Sequence, residues 1–282
     1  MIYSQATGGF GNQLYNYAIG FALAQQYGES FTLDISPYKF SPRPFVLDQL
    51  TISGNIAYLF PPKKDTKLSR MTARILRIIA TNRYGLCRWL KESPSTRNQF
   101  GSYDFSHKAS LYLEGYWQHY RYFDSYHDLL CKEFQLKEEF ISEQCRHLIQ
   151  QVQAEDSVAV HIRRGDYEAA WLLNDDYYHN AFAFISSKLK NPRYYIFCED
   201  IPYIKEHYGY LTNAVFVTGS FSLSDMEEFW LMSKCRHQII ANSTFSWWAA
   251  YLNTTSGKIV VAPEYMHWNK EYYPSGWNVL QA

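Results

Sequence analysis

Apolar and polar positions alternate along the second half of the chain in a pattern that predicts short buried strands separated by helices. The strands are predicted at 158–162, 194–198, 214–217, 237–241 and 258–261. Short strands that alternate with helices indicate a parallel sheet, and the functional groups of such a sheet collect where its strands end. We therefore expect chemistry at the carboxyl edge of this sheet.

The first half of the chain opens with a related β-α-β pattern. A strand predicted at 2–6 runs into the glycine-rich turn 7–13, and a helix is predicted at 14–26 before a second strand at 31–34. A strand, a glycine-rich turn and a helix start can point backbone N–H groups at a phosphate. The turn equally suits close packing of strand and helix, since the third glycine of a dinucleotide fingerprint is replaced by Leu14.

A polar stretch, 153–157, separates a helix predicted at 138–153 from the strands of the second half. It predicts a boundary between a domain of residues 1–152 and a domain of residues 153–282. Within the first domain, residues 63–97 form a basic segment that we predict to be a helical insert, because apolar residues of its central part fall on one helical face. A helix that covers the core is the favoured interpretation. Attraction to anionic lipid, or to a lipid-linked anionic substrate, is the alternative.

Charge and cysteine content narrow the function classes. Lys and Arg number 27 and Asp and Glu also number 27, a balance that argues against a general nucleic-acid binder. The five cysteines are scattered without a CxxC pair, which favours free thiols and makes a zinc site unexpected. The sequence contains neither a predicted signal peptide nor a predicted membrane span, so we expect a cytoplasmic protein, with peripheral association at the inner membrane face as a further possibility.

Residues that can bind phosphate follow two of the predicted strands. Arg163 and Arg164 come after the first strand and could hold a diphosphate by forked hydrogen bonds. Asn242, Ser243 and Thr244 come after the strand at 237–241, where a helix start could bind phosphate or where the hydroxyls could simply cap the helix. Together they predict a nucleotide-diphosphate site in the second domain, without indicating which sugar the nucleotide carries.

Acidic residues follow another of the predicted strands. Glu199 and Asp200 come after the strand at 194–198 and suit the N–H and O–H donors of a guanine or ribose. A solvated turn is the alternative interpretation of this pair.

Four motifs resemble the α-1,2-fucosyltransferases of glycosyltransferase family 11. They are Gly8-Gly-Phe-Gly-Asn-Gln-Leu-Tyr-Asn-Tyr-Ala18, Glu114-Gly-Tyr-Trp-Gln118, His161-Ile-Arg-Arg-Gly-Asp-Tyr167 and Asn242-Ser-Thr-Phe-Ser-Trp-Trp-Ala-Ala-Tyr-Leu252. The motifs occur in the order of the family and span nearly the whole chain.

The resemblance implies a GT-B-like α/β fold, in which two Rossmann-like parallel-sheet domains face a cleft. The first domain would take the acceptor and the second the donor. The implied reaction is an inverting transfer of L-fucose from GDP-β-L-fucose to the 2-hydroxyl of a terminal galactoside, with release of GDP and without a metal or other cofactor. The implied acceptor is a galactose-terminated oligosaccharide or lipid-linked precursor in surface-glycan biosynthesis.

The resemblance also implies roles for individual residues. Arg163 would bind the β-phosphate and stabilise the leaving GDP, and His161 would lie near the ribose or guanine. Asn12 would reach the diphosphate from the first domain. Glu228 stands where the family often has an aspartate that contacts guanine. The remaining donor-binding residues would be Gly11, Arg164, Asn242, Ser243, Thr244 and Phe245.

The motifs assign the acceptor site and the general base less definitely than the donor-binding residues. Acceptor contacts are predicted for Glu114, Tyr116, Trp117 and Gln118, although Trp117 also suits a core. Asp166 is the first candidate for a base that deprotonates the acceptor hydroxyl, and Glu168 is the second. The alternative role of Asp166 is an ion pair that orients Arg163 or Arg164.

Other function classes stay open on the sequence. One is a transferase that uses another nucleotide sugar or makes another fucose linkage. A more remote one is a non-catalytic protein that binds nucleotide sugars.

Overall fold

The protein folds into two compact α/β units, each with its own parallel sheet. The computed structural model describes residues 1–60, 87–101, 103–165, 168–266 and 268–282. The first unit is Met1–Gln135 and the second is Leu136–Ala282. Every strand pairing within the two sheets is parallel. The predicted fold of two parallel-sheet α/β domains is confirmed, and the cleft stays a prediction.

In the described residues, the sheet of the first unit has five strands in the order β3-β2-β1-β5-β4. These strands are β1 (Ile2–Gln5), β2 (Phe31–Asp34), β3 (Asn55–Ala57), β4 (Arg88–Lys91) and β5 (Leu111–Glu114). The helices in the described part of this unit are α1 (Phe10–Tyr27) and α2 (His127–Glu133). Helix α1 is buried along most of its length and ends at Gly28, whose left-handed backbone (φ 64°) closes the helix.

A buried amide joins the glycine-rich turn to the segment after β5. The Asn16 side chain on α1 accepts a hydrogen bond from the Thr7 backbone N–H at 3.0 Å. It donates to the Gly115 carbonyl at 2.7 Å. Because Asn16 is fully buried, these bonds satisfy groups that would otherwise be costly to bury. Two of the four sequence motifs therefore meet in this unit for a structural reason.

The basic segment 63–97 is not helical in its described part. Residues 61–86 lie outside the described residues, so the apolar stripe and any attraction to lipid stay predictions. The prediction is wrong for 88–91, which form the edge strand β4 paired with β5, and residues Pro94–Thr96 make a single 3-10 turn. Trp89 explains the strand, since its ring stacks on Tyr112 of β5 at 3.8 Å between centroids.

The sheet of the second unit has six strands in the order β11-β10-β9-β6-β7-β8. These strands are β6 (Ser157–His161), β7 (Arg193–Phe197), β8 (Ala214–Phe216), β9 (His237–Ile239), β10 (Val260–Glu264) and β11 (Asn278–Gln281). Its helices are α3 (Glu143–Ala154), α4 (Asp175–Lys188), α5 (Ile201–Tyr208), α6 (Asp225–Lys234) and α7 (Thr244–Leu252). All five strands predicted in this half are present, and β11 is additional.

The boundary between the units lies after Gln135 rather than after residue 152. Helix α3 belongs to the second unit because its apolar face, with Cys145, Leu148 and Val152 buried, packs against α6. The backbone N–H of Ser142, which caps α3, also donates to Glu227 of α6 at 2.8 Å. The polar stretch 153–157 is therefore the connection from α3 to β6 within one unit.

Strand β6 lies in the interior of its sheet, between β7 and β9, and all five of its residues are buried. Parallel pairing brings the carboxyl ends of β6, β7 and β9 to one edge. Six of the residues predicted to bind the donor follow β6 or β9 and so share that edge: Arg163, Arg164, Asn242, Ser243, Thr244 and Phe245. In the described residues, no helix is long and apolar enough to span a membrane.

Candidate functional site

Each of the two arginines after β6 is paired with a carboxylate that follows β7. The Arg163 guanidinium donates through Nη1 to Oε1 of Glu199. The Arg164 guanidinium donates through Nε to Oδ2 of Asp200 at 3.3 Å. The register of β6 and β7, which aligns His161 with Phe197, places these residues side by side. The acidic pair is thus a counter-ion for the arginines, and a contact with guanine or ribose stays a prediction.

Arg164 is held in place by more than its ion pair. Its guanidinium carbon lies 3.5 Å from the centroid of the Tyr203 ring, a close cation–π contact. Asp200 also accepts a hydrogen bond from the Tyr203 backbone N–H at 3.1 Å and so caps helix α5. The Tyr203 hydroxyl in turn donates to Asp175. This network fixes Arg164 and gives it a structural role that the sequence did not reveal.

The start of helix α7 lies at the carboxyl end of the adjacent strand β9. Ser243 is the N-cap, and its hydroxyl accepts from the Phe245 backbone N–H at 3.4 Å. Asn242 donates through Nδ2 to the Trp171 carbonyl at 2.9 Å, and Thr244, the first helical residue, is half-buried. The first turn carries no acidic residue, so the positive end of the helix dipole has no carboxylate of its own. The capping role of Ser243 is confirmed, and phosphate binding stays a prediction.

His161 joins the end of β6 to helix α7. Its Nδ1 lies 2.9 Å from the Ser246 hydroxyl, and its ring is 5.7 Å from the ring of Phe245. Burial, reinforced by the positive charge of Arg163, lowers the pKa of His161 to about 3, so its imidazole is neutral at neutral pH. The side chain is 5% exposed, a burial that favours the bridging role over a direct contact with ribose or guanine.

Glu228 on helix α6 is a mostly buried carboxyl near the same edge. Its Oε2 accepts from the Thr218 hydroxyl at 2.9 Å, and that hydroxyl accepts from the Cys198 backbone N–H at 3.2 Å. Burial raises the pKa of Glu228 to about 7, opposed by the Thr218 hydrogen bond and reinforced by the charges of Asp225 and Glu199. A carboxyl with this pKa changes its charge near neutral pH.

The predicted donor residues of the first unit lie on its glycine-rich turn and the start of α1. Asn12 accepts a hydrogen bond through Oδ1 from Nε2 of Gln118 at 2.7 Å. The side chain of Asn12 also covers Gly8, where an added Cβ would lie 2.5 Å from Nδ2 and where φ is +77°. Gly11 is buried within α1. Gln118, predicted as an acceptor contact, therefore orients Asn12.

The acceptor assignment of Trp117 is corrected by its burial. Its ring is fully buried, with the Tyr103 ring 4.9 Å away, and its backbone is left-handed with φ 53°. Glu92, which sequence reasoning missed, holds this bend by accepting from the backbone N–H groups of Tyr116 at 2.7 Å and Trp117 at 3.1 Å. Trp117 is thus a core residue of the turn.

Two further acceptor candidates make polar or cationic contacts within the first unit. Glu114 accepts from Nε1 of Trp89 at 2.9 Å and from Nζ of Lys91 at 2.8 Å. The guanidinium carbon of Arg97 lies 4.4 Å from the centroid of the Tyr116 ring. Acceptor roles for Glu114, Tyr116 and Gln118 stay predictions.

The described residues do not test the two base candidates. Asp166 lies outside the described residues. Glu168 is exposed and precedes the short 3-10 turn Ala169–Trp171. Both base assignments stay predictions.

The raised pKa of Glu228 gives the first testable prediction. Because this pKa is about 7 in the folded protein and 4.5 for an ordinary Glu, the folded protein binds more protons than the unfolded chain between these values. The free energy of unfolding should therefore fall as pH rises through that window, by on the order of 3 kcal/mol from this group. Glu228→Gln should lack that loss in unfolding measurements at several pH values.

The matched control is Glu143→Gln, since the Glu143 side chain is 97% exposed. This control should keep the pH dependence of the wild type. If Glu228→Gln also kept it, the carboxyl of Glu228 would not carry the proposed proton.

Comparison with known proteins identifies the family of the chain. The family model of glycosyl transferase family 11 matches residues 45–281. The O-antigen biosynthesis glycosyltransferase WbnK of Escherichia coli is 30% identical over 93% of both chains. An alpha-1,2-colitosyltransferase of Escherichia coli is 29% identical over 93% of this chain and 91% of its own length. Galactoside alpha-(1,2)-fucosyltransferase 2 of Hylobates lar is 26% identical over 92% of this chain and 71% of its own.

Solved structures share the fold at low identity. Fucosyltransferase NodZ from Bradyrhizobium has a TM-score of 0.52 and 13% identity, with 88% of this chain and 92% of that chain covered. POFUT1 in complex with GDP-fucose has a TM-score of 0.50 and 11% identity, with 92% and 97% covered. The family model covers most of the chain and includes three of the four motifs, so the resemblance is confirmed: this protein belongs to glycosyl transferase family 11 and is a glycosyltransferase.

Proposed function

We propose that this glycosyltransferase transfers L-fucose from GDP-β-L-fucose to the 2-hydroxyl of a terminal galactoside, with inversion and release of GDP. The observation that carries the proposal is the meeting of a cation and a helix start at one edge of the sheet of the second unit. Arg163 follows β6, helix α7 follows the adjacent β9, and the contact of His161 with Ser246 ties the two together. Such an edge is the expected place for a nucleotide diphosphate.

The chemistry follows from where charge develops. The acceptor oxygen bonds to the anomeric carbon of fucose as the bond from that carbon to the β-phosphate oxygen breaks, and the bonding electrons leave with GDP. Arg163 and the N–H groups at the start of α7 would stabilise the negative charge that accumulates on the diphosphate. Because these groups supply positive charge, we propose that transfer needs no metal, and full activity in the presence of EDTA is the expected result.

Glu228 would bind the guanine of the donor nucleotide. In its ionised form a carboxylate accepts from the N–H donors of guanine, and the pKa of about 7 makes that form available near neutral pH. The acceptor would be a galactose-terminated oligosaccharide or a lipid-linked glycan precursor, in keeping with the O-antigen name of one relative.

The second candidate donor is a colitose nucleotide, because a relative of similar identity is an alpha-1,2-colitosyltransferase. Colitose is fucose without its 3-hydroxyl. A site that hydrogen-bonds this hydroxyl rejects the deoxy sugar strongly, because the bonding groups of the site would be left unpaired. The two donors therefore discriminate the candidates directly.

We predict that GDP-fucose is the better donor with terminal β-galactosides. In an assay of GDP release, kcat/KM should be at least about tenfold higher for GDP-fucose than for GDP-colitose. NMR of the product should show an α-1,2 linkage. A preference for colitose, or a different linkage, would replace the proposed reaction, and tight GDP-fucose binding without transfer to any galactoside would favour a binding protein.

Arg163→Lys should lower kcat by roughly 100-fold, because a point charge replaces the planar fork that grips the leaving phosphate. The measurement is steady-state kinetics with saturating donor. Arg146→Lys is the matched control, since Arg146 of helix α3 pairs with Glu138 at the surface of the unit. A kcat of Arg163→Lys close to that of the wild type would show that Arg163 does not stabilise the leaving GDP.

Asp166 is the proposed general base, with Glu168 as the alternative. Asp166→Asn should lower kcat severely and leave the affinity for GDP unchanged, because only the proton acceptor is lost. Weakened GDP binding would instead indicate that Asp166 orients an arginine. Glu168→Gln, measured in parallel, should retain activity, and the opposite pattern would transfer the role to Glu168.

A further inference from the structure

We propose that Glu199 is an internal substitute for a phosphate oxygen: its carboxylate occupies the Arg163 guanidinium, and a diphosphate must displace it to bind. This inference rests on the proposed function, because it assigns to Glu199 the control of donor affinity at the same site. The two ion pairs after β6 and β7 set two positive charges against two negative ones. An incoming diphosphate therefore competes for a cation that is already neutralised.

The two ion pairs differ in how easily they open. Asp200 caps helix α5, and Arg164 is stacked on Tyr203, so that pair is fixed on both sides. Among the described residues, the one hydrogen-bonding partner of Glu199 is Arg163. The Glu199 side chain is 39% exposed and that of Asp200 is 38% exposed, so the two pairs differ in their contacts and not in their access to solvent. The pair that a ligand can break is therefore the pair that holds Arg163.

Gly165, the residue after the two arginines, leaves space for the side chain of Glu199. Gly165 carries no Cβ, and one added there would lie 2.5 Å from Oε1 of Glu199 and 2.7 Å from its Cγ. The backbone of Gly165 has φ +20°, at the border of the region that side chains disfavour. The glycine after the two arginines thus provides the space in which the carboxylate of Glu199 meets Arg163.

A second carboxyl favours the departure of Glu199. The negative charge of Glu199 contributes to the raised pKa of Glu228, so the two groups repel each other when both are ionised. This repulsion favours rotation of Glu199 away from the edge and toward solvent.

The test is the affinity for GDP of Glu199→Gln, which keeps the shape of the side chain over Gly165 and removes its charge. Calorimetric titration should show a Kd lower by roughly three- to thirty-fold than in the wild type, because the competing carboxylate is gone. The KM for the donor should fall in the same direction. Asp200→Asn is the matched control. It should not lower the Kd for GDP, because Asp200 fixes Arg164 and caps α5.

The effect must act through Arg163. In an Arg163→Gln background, Glu199→Gln should leave the Kd unchanged, as a double-mutant cycle requires. Thermal unfolding of each variant shows that the fold is kept. An unchanged or higher Kd in Glu199→Gln alone would overturn the inference and indicate that Glu199 orients Arg163 in the complex.

Inorganic pyrophosphate separates this inference from the proposed function. If the wild type binds pyrophosphate but not GDP, and Glu199→Gln binds pyrophosphate more tightly, the competition by Glu199 holds and the GDP-sugar reaction fails. If GDP and pyrophosphate bind the wild type and the variant equally, the reaction stands and the inference fails. A wild type that binds neither contradicts both.

Discussion

The parallel pairing of β6 with β7 on one side and β9 on the other is the constraint on which the site depends. Because all three strands point the same way, their carboxyl ends supply the arginines, the acidic pair and the start of helix α7 to one edge. The burial of every residue of β6 fixes the strand, so the arginines that follow it have little freedom of position. The neutral His161 then ties this strand to α7 through Ser246.

Among the described residues, each of the two arginines at this edge is paired with a carboxylate. An arginine pair alone predicts strong attraction for any anion, but Glu199 and Asp200 cancel that attraction. Arg164 is held by Tyr203 and by Asp200, and under the proposal it is the pair of Arg163 with Glu199 that exchanges with a ligand. The affinity of such a site is set by the difference between two ion pairs, the internal one and the one with the ligand.

Much of the second unit could be predicted from sequence, because its strands are continuous apolar runs that end in charged or polar residues. The capping position of Ser243 could also be predicted, since it depends on local chain geometry. The pairing of Arg163 with Glu199 could not, because it depends on the register between strands that are distant in sequence. The same holds for the domain boundary, which is decided by the packing of α3 on α6.

The first unit was harder to predict for related reasons. Strand β4 lies within a run of basic residues, and its stacking partner Tyr112 is more than 20 residues away in sequence. The burial of Trp117 depends on the bend that Glu92 holds, and periodicity does not reveal such a bend. The link between Gln118 and Asn12 joins two motifs that the sequence interpretation had assigned to different substrates.

The central claim is that the edge formed by β6 and β9 binds the diphosphate of the donor. A crystal structure of the protein with GDP tests it most directly. The β-phosphate should lie within hydrogen-bonding distance of the Arg163 guanidinium and near the first turn of α7. Glu199 should be turned away from Arg163. GDP bound elsewhere on the chain, or at this edge with its phosphates remote from Arg163, would contradict the account.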